Sequence, residues 1–283
     1  MSVCLLERKV FTAVELAIFE NDTGEGVVSF HLSGQHIHLT IGGERVFEYG
    51  NACGTCGIVF RKIGSVSDRL SDTEAIRLLG NLDALPPPNV LRRLARVLQP
   101  GVYYPSIVAG TVQLIAPGSP NDYFATDVVR LFGRDDPDAR EPAGPGTSYY
   151  RLGVDRHLDR TGRVPGPHQA LVTAVVMPLH EPSQLNRERI EHWKRQHLAG
   201  MNLTAFAVAV LDDQQPAMDP ADNTYPYEEQ FLLTLCTLDG HHRIQAAAEL
   251  GASVRILSLL ARDFSPALSD DIATVLPGYA PTS

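Results

Sequence analysis

The chain has 283 residues, of which 44% are hydrophobic and 20% charged, a balance that builds a folded core and excludes collagen-like or wholly disordered classes. Its 24 basic and 33 acidic side chains leave a formal net charge of −9, the wrong sign for a protein that lives on nucleic acid or an anionic membrane. The excess is shared, −4 over residues 1–146 and −5 over 147–283, so neither half hides a basic nucleic-acid-binding domain.

Near the N-terminus Glu7, Arg8 and Lys9 interrupt the apolar residues, unlike an export signal, and no apolar run is long enough for a transmembrane helix. With only four cysteines, a reducing cytoplasm is the expected setting. From Gly26 to Lys62 apolar residues alternate, with glycine breaks at Gly34 and at Gly42-Gly43, which predicts a short antiparallel meander. Ser71 to Glu74 reads as the cap of a helix ending at Gly80. Pro86-Pro87-Pro88 introduces a second helix over Asn89–Leu98, whose Arg92, Arg93 and Arg96 form a solvated basic face.

Within the meander, Cys53 and Cys56 make a C-x-x-C knuckle, half of a tetrahedral Zn²⁺ site. Completion would need Cys4, one of His31, His36 or His38, or the knuckle of a second subunit in a homodimer. A reversible disulfide and a plain turn with packed thiols are the alternatives. The stretch from Arg134 to Gly146 mixes charge, proline and glycine without apolar period, and is expected to link an N-terminal β-rich domain, 1–146, to a C-terminal domain, 147–283.

Beyond residue 146 the periodicity turns mixed. Strands are expected over Ser148–Leu158, Ala170–Leu179, Leu203–Leu211, Gln230–Leu238 and Val254–Leu260, and helices over Asn186–Leu198 and Ile244–Leu250. The polar, proline-bearing segment from Asp212 to Glu229 is long for a hairpin loop and suits a lid.

One turn concentrates the chemistry. Asp239-Gly240-His241-His242-Arg243 stands where an apolar strand ends and a helix begins, so helix-terminal N–H groups face whatever occupies the turn. Gly240 permits close backbone approach, and His241, His242 and Arg243 add donors and charge suited to phosphate. Asp239 could orient a histidine, hold a Mg²⁺ ion that travels with a nucleotide, or accept a proton. The bland alternative is a helix cap whose His and Arg side chains pair with Asp239.

The run from Asp239 to Gly251 with the strand after it resembles the signature of the ParB and sulfiredoxin superfamily, and the fold expected is accordingly α+β: a ParB/sulfiredoxin-like mixed α/β domain behind an N-terminal domain with a β module and helices. Sulfiredoxins carry a reactive cysteine where this chain has His241, and chromosome-partitioning members carry different residues inside the turn. The Asp-Gly-His-His-Arg form looks like the free serine kinase branch. There a Glu, often preceded by His, follows an early strand, as His180-Glu181 does here. The resemblance implies Glu181 as catalytic base, Asp239 as an assisting acid or Mg²⁺ partner, Gly240 to Arg243 as phosphate binders, and ATP or ADP with Mg²⁺ as donor to a serine-like hydroxyl. A non-catalytic nucleotide-binding regulator is the alternative. Nucleic acid and membrane are not expected partners.

Overall fold

Residues 19–22, 24–33, 36–51, 58–64, 79, 82–126, 146–153, 155–159, 169–214, 229–267 and 269–279 are described by a computed structural model of the chain. A short strand, β1 (Phe19–Asn21), precedes the alternating segment. That segment forms the expected meander of β2 (Val28–Ser33), β3 (His36–Ile41), β4 (Glu44–Asn51) and β5 (Ile58–Lys62). Helix α1 (Pro88–Ala95) starts on the last proline of the run, where a missing N–H costs nothing, and it buries Val90, Leu91 and Leu94. The knuckle Cys53–Cys56, all but Leu79 of the helix expected between its Ser71–Glu74 cap and Gly80, the linker and most of the 212–229 insertion lie outside the described residues.

The second β system departs from expectation. Its strands are β6 (Gly101–Ile115), β7 (Tyr149–Leu152), β8 (Arg156–Asp159), β9 (Gln169–Pro178), β10 (Leu203–Gln214), β11 (Glu229–Asp239) and β12 (Ser253–Ala261). They hydrogen-bond in the order β6-β12-β10-β11-β9-β7, with β10–β12 and β9–β11 parallel and the other neighbours antiparallel. β6 then pairs with β7, from Val112 opposite Leu152 to Ile115 opposite Tyr149, and six strands close into a barrel. β1 and β8 flank it, on β6 and β9.

Closure overturns the α+β, ParB/sulfiredoxin-like expectation. The described residues are largely β, with four α-helices, and the barrel takes β6 from before residue 146 and five strands from after it. The physical reason is that β6 is long enough to pair twice: residues 103–111 bond β12 and residues 112–115 bond β7. An open sheet would leave those edges unpaired, whereas the ring satisfies them. The helices α2 (Arg187–Leu198), α3 (His241–Leu250) and α4 (Ser269–Val275) follow β9, β11 and β12 in the chain, and α3 packs against β6, β10 and β12. α2 and α3 pack together where β10 starts, Arg243 of α3 reaching Thr204. At the far end of β10, Ala267 N–H bonds the Leu211 carbonyl just before α4, whose Ser269 accepts from Tyr104.

Alternation divides the strand residues between two hydrophobic clusters. Tyr104, Val108, Tyr150, Ala174, Ala207, Leu235 and Ile256 cluster with Ile244 of α3 and Ile272 of α4. The opposite faces, including Val175, Phe206, Val208, Leu232 and Leu257, cluster with Phe30, Leu39, Phe47 and Tyr49 of the meander. A four-stranded sheet cannot enter a six-stranded barrel, so the meander covers the outer wall and the first cluster is the interior, plugged by a helix at each end. The Tyr49 hydroxyl donates to the Phe264 carbonyl at 2.7 Å, Phe30 stacks on the Phe264 ring at 5.1 Å, and Arg255 of β12 bonds Asp83 and the Leu82 carbonyl.

Helix α3 is bracketed by Gly240, at φ +95°, and Gly251, at φ +60°. A Cβ on Gly240 would lie 2.8 Å from Ala205 Cα and Cβ, whereas one on Gly251 meets nothing within 4 Å. Gly251→Ala is expected to cost about 1 kcal/mol of unfolding free energy, for left-handed backbone alone. Gly240→Ala adds a backbone clash and should cost about 3 kcal/mol or more. Urea denaturation of the two variants measures the difference, and equal losses would contradict the packing described.

Candidate functional site

The barrel end plugged by α3 collects the residues singled out in the sequence. β9 ends at Pro178, and the segment that follows, through His180, Glu181 and a short 3-10 turn at Pro182–Gln184, runs over the start of α3. Two histidines fasten it there. His241 Nε2 accepts the Leu179 N–H at 3.1 Å, and His242 Nε2 accepts the Asn186 N–H at 3.2 Å. Asn186 in turn caps α2, its side-chain oxygen accepting the Arg189 N–H at 3.1 Å. The His180 and His241 rings meet edge to face with centroids 4.9 Å apart.

A ring nitrogen that accepts a backbone N–H carries no proton, so His241 is neutral with its hydrogen on Nδ1. Burial pulls its pKa down to about 3, and the neighbouring His180, His242 and Lys62 act in the same direction. His180 is lowered as well, first by burial and then by the Lys62 charge.

Lys62 is the site residue that sequence reasoning missed. It stands at the end of β5, and its ammonium lies 3.1 Å from Glu181 Oε1 with only 10% of the side chain exposed. Thr147, buried just before β7, donates its hydroxyl to the same carboxylate oxygen. Partial burial pushes the Glu181 carboxyl up, but the hydrogen bonds from Thr147 and Lys62 and the lysine charge outweigh it and hold the group below its ordinary value. Glu181 is therefore an ionised acceptor poised between the meander and the barrel.

Arg243 is placed differently from the expectation of a phosphate fork. Its Nη1 donates to the Thr204 carbonyl at 2.9 Å and to Thr204 Oγ1 at 3.1 Å, and its Cζ sits 4.6 Å from the centroid of the Trp193 ring. Asp239 Oδ2 is 3.6 Å from Nη2, a charge contact too long for a hydrogen bond. That oxygen is buried and has no hydrogen-bond partner. In this arrangement Arg243 locks α3 to β10 and α2, a sandwich of cation–π and carbonyl contacts. Arg187 adds a forked pair to Glu249, at 2.6 and 2.8 Å, which is exposed and adds little stability.

What remains pointed at the mouth is the start of α3. Gly240 provides no side-chain cap, so the first turn of α3 carries the positive end of the helix dipole, and Lys62 lies near enough to His241 for its charge to act on that ring. Among the described residues no three His, Cys, Asp or Glu side chains gather to hold a metal ion. No helix among them is long and apolar enough to cross a membrane. Comparison with known proteins found no matching family model, no matching curated protein and no matching solved structure.

The two lowered histidines set a pH dependence of folding. Each is harder to protonate in the folded chain than in the unfolded one, so their contribution is complete above about pH 6.5 and is lost as pH falls. Between pH 6.5 and 5, above the carboxylate range, stability should fall by up to about 1.4 kcal/mol per pH unit for His241, and by less for the partly buried His180. His241→Gln, which keeps an acceptor but no titrating ring, should flatten the slope in denaturation curves across that window. Identical slopes for the two proteins would contradict the placement of His241.

Proposed function

We propose that the α3 end of the barrel binds the phosphates of a nucleotide and transfers a phosphoryl group to the hydroxyl of a small, serine-like acceptor. The observation that carries this reading is the Lys62–Glu181 pair beside the uncapped start of α3. An ammonium and a helix N-terminus are the two groups that most directly neutralise phosphate oxygens. A carboxylate held ionised next to them can take the hydrogen bond of an attacking hydroxyl. Its low pKa suits orientation of the hydroxyl more than early deprotonation. That is what a loose phosphoryl-transfer transition state asks for.

Without nucleotide, Lys62 neutralises Glu181. A phosphate arriving at the mouth competes for Lys62 and frees Glu181 Oε1 for the acceptor. Asp239, with a buried oxygen lacking a hydrogen-bond partner, is the residue to meet a Mg²⁺ ion carried in with ATP or ADP. Its proximity to Arg243 tempers its charge. His241 and His242 act through position, holding the Leu179–Asn186 segment and with it Glu181. The reading places the protein in a reducing cytoplasm, where the buried Cys236 stays a thiol. A Zn²⁺ ion at Cys53 and Cys56, shared across a homodimer, belongs to the same proposal.

Incubation with ATP or ADP, Mg²⁺ and a panel of hydroxy amino acids should yield a phosphorylated acceptor with at least one pair. Glu181→Gln should lower turnover about 10²-fold or more with nucleotide affinity nearly unchanged. Lys62→Met should weaken nucleotide binding about tenfold or more. Nucleotide binding without turnover on any acceptor would favour a regulatory binder, and no binding at all would reject both. Elemental analysis should find about half or one equivalent of zinc per chain, and none above background removes the metal.

A further inference from the structure

Most nucleophilic side chains at the α3 mouth are already engaged. Thr147 donates its hydroxyl to Glu181, and the Lys62 ammonium pairs with the same carboxylate. His241 Nε2 and His242 Nε2 accept the backbone N–H groups of Leu179 and Asn186. His180 differs from all of these. Among the described residues neither of its ring nitrogens has a hydrogen-bond partner, and neither is sealed from solvent.

The ring is nonetheless held in place. The backbone N–H groups of the residues before and after it are both bonded, Leu179 to His241 Nε2 at 3.1 Å and Glu181 to Gln184 Oε1 at 3.2 Å. The ring itself rests edge to face on that of His241, the first residue of α3, with centroids 4.9 Å apart. Burial and the Lys62 charge lower its pKa, so at pH 7 the ring is neutral and carries a lone pair on one nitrogen. A fixed, neutral imidazole under the influence of an ammonium suits an electrophile with anionic oxygens: the lone pair meets the phosphorus while Lys62 meets the oxygens.

We infer that His180 takes the terminal phosphoryl group of the nucleotide onto a ring nitrogen before the acceptor receives it, so that the protein passes through a phosphohistidine. In the first half the ring lone pair forms an N–P bond while the bridging P–O bond breaks. Its electron pair leaves with the nucleotide product, and the proton on the other ring nitrogen goes to solvent. In the second half the acceptor hydroxyl, oriented by Glu181, forms an O–P bond. The N–P electron pair returns to the ring, which takes up the hydroxyl proton. Such a covalent stage splits one difficult transfer into two easier ones. The inference deepens the proposed function and rests on it for the phosphate site, but not for the identity of the acceptor.

The test is incubation of the full chain with Mg²⁺ and ATP labelled in its terminal phosphate, with similarly labelled ADP in a second arm, and without any acceptor. The wild-type protein should gain a label in a bond that survives alkali and breaks in acid, as a phosphoramidate does and a serine or threonine ester does not. Tandem mass spectrometry of the wild-type protein should map it to His180, and His180→Gln should lose it. If that variant does not fold, the mapped position decides. Absence of label after an alkaline quench, an acid-stable label, or a label on another residue overturns the inference. Labelled His180 with no transfer to any hydroxy amino acid keeps the phosphohistidine and rejects the serine-like acceptor. A phosphorylated acceptor formed with no labelled protein at any time rejects His180 and leaves direct transfer standing, and neither label nor product rejects both.

Discussion

The antiparallel pairing of β6 with β7 makes an interior where there would otherwise be a sheet. Only four residue pairs join these strands, but they convert a curved sheet with two edges into a ring with an inside, an outside and two mouths. Each later feature depends on that closure. The inner wall needs plugs, which α3 and α4 supply, and the outer wall needs cover, part of which the meander supplies. A residue at a mouth then has neighbours from several strands at once, which is how Glu181 comes to touch Thr147 before β7 and Lys62 at the end of β5.

Much of this was legible residue by residue and little of it globally. The alternation of Val28, Phe30 and Leu32, the apolar runs of β9 to β12 and the glycine stops of α2 and α3 mark elements whose periods are set by their own side chains. β6 escapes that logic. Pro105 and Gly110 interrupt it, and its outward Thr111 and Gln113 face solvent while both neighbours bury it elsewhere, so no simple period survives. Closure itself is a pairing between distant segments and leaves no local signature, which explains why a layered α+β fold was the natural expectation and why it fails.

The candidate site shows the same division. The order His180-Glu181, then Asp239 to Arg243, was readable because strand ends and helix starts carry chemistry in recognisable clusters. Lys62 was not, since a lysine at a strand end looks like an ordinary solvated charge until its partner is known. The partners of the two histidines are backbone N–H groups of Leu179 and Asn186, which no side-chain pattern announces. Arg243, expected to face phosphate, spends its donors on Thr204 and its face on Trp193. The shape of the site therefore comes from these internal bonds, and its charge from Lys62, Glu181 and the start of α3.

The central claim is that this mouth holds phosphate. A crystal structure of the protein with Mg²⁺ and a non-hydrolysable ATP analogue tests it most directly. The account predicts terminal phosphate oxygens within hydrogen-bonding distance of Lys62 Nζ, at the start of α3. Nucleotide bound elsewhere, with the Lys62–Glu181 pair intact, would contradict it.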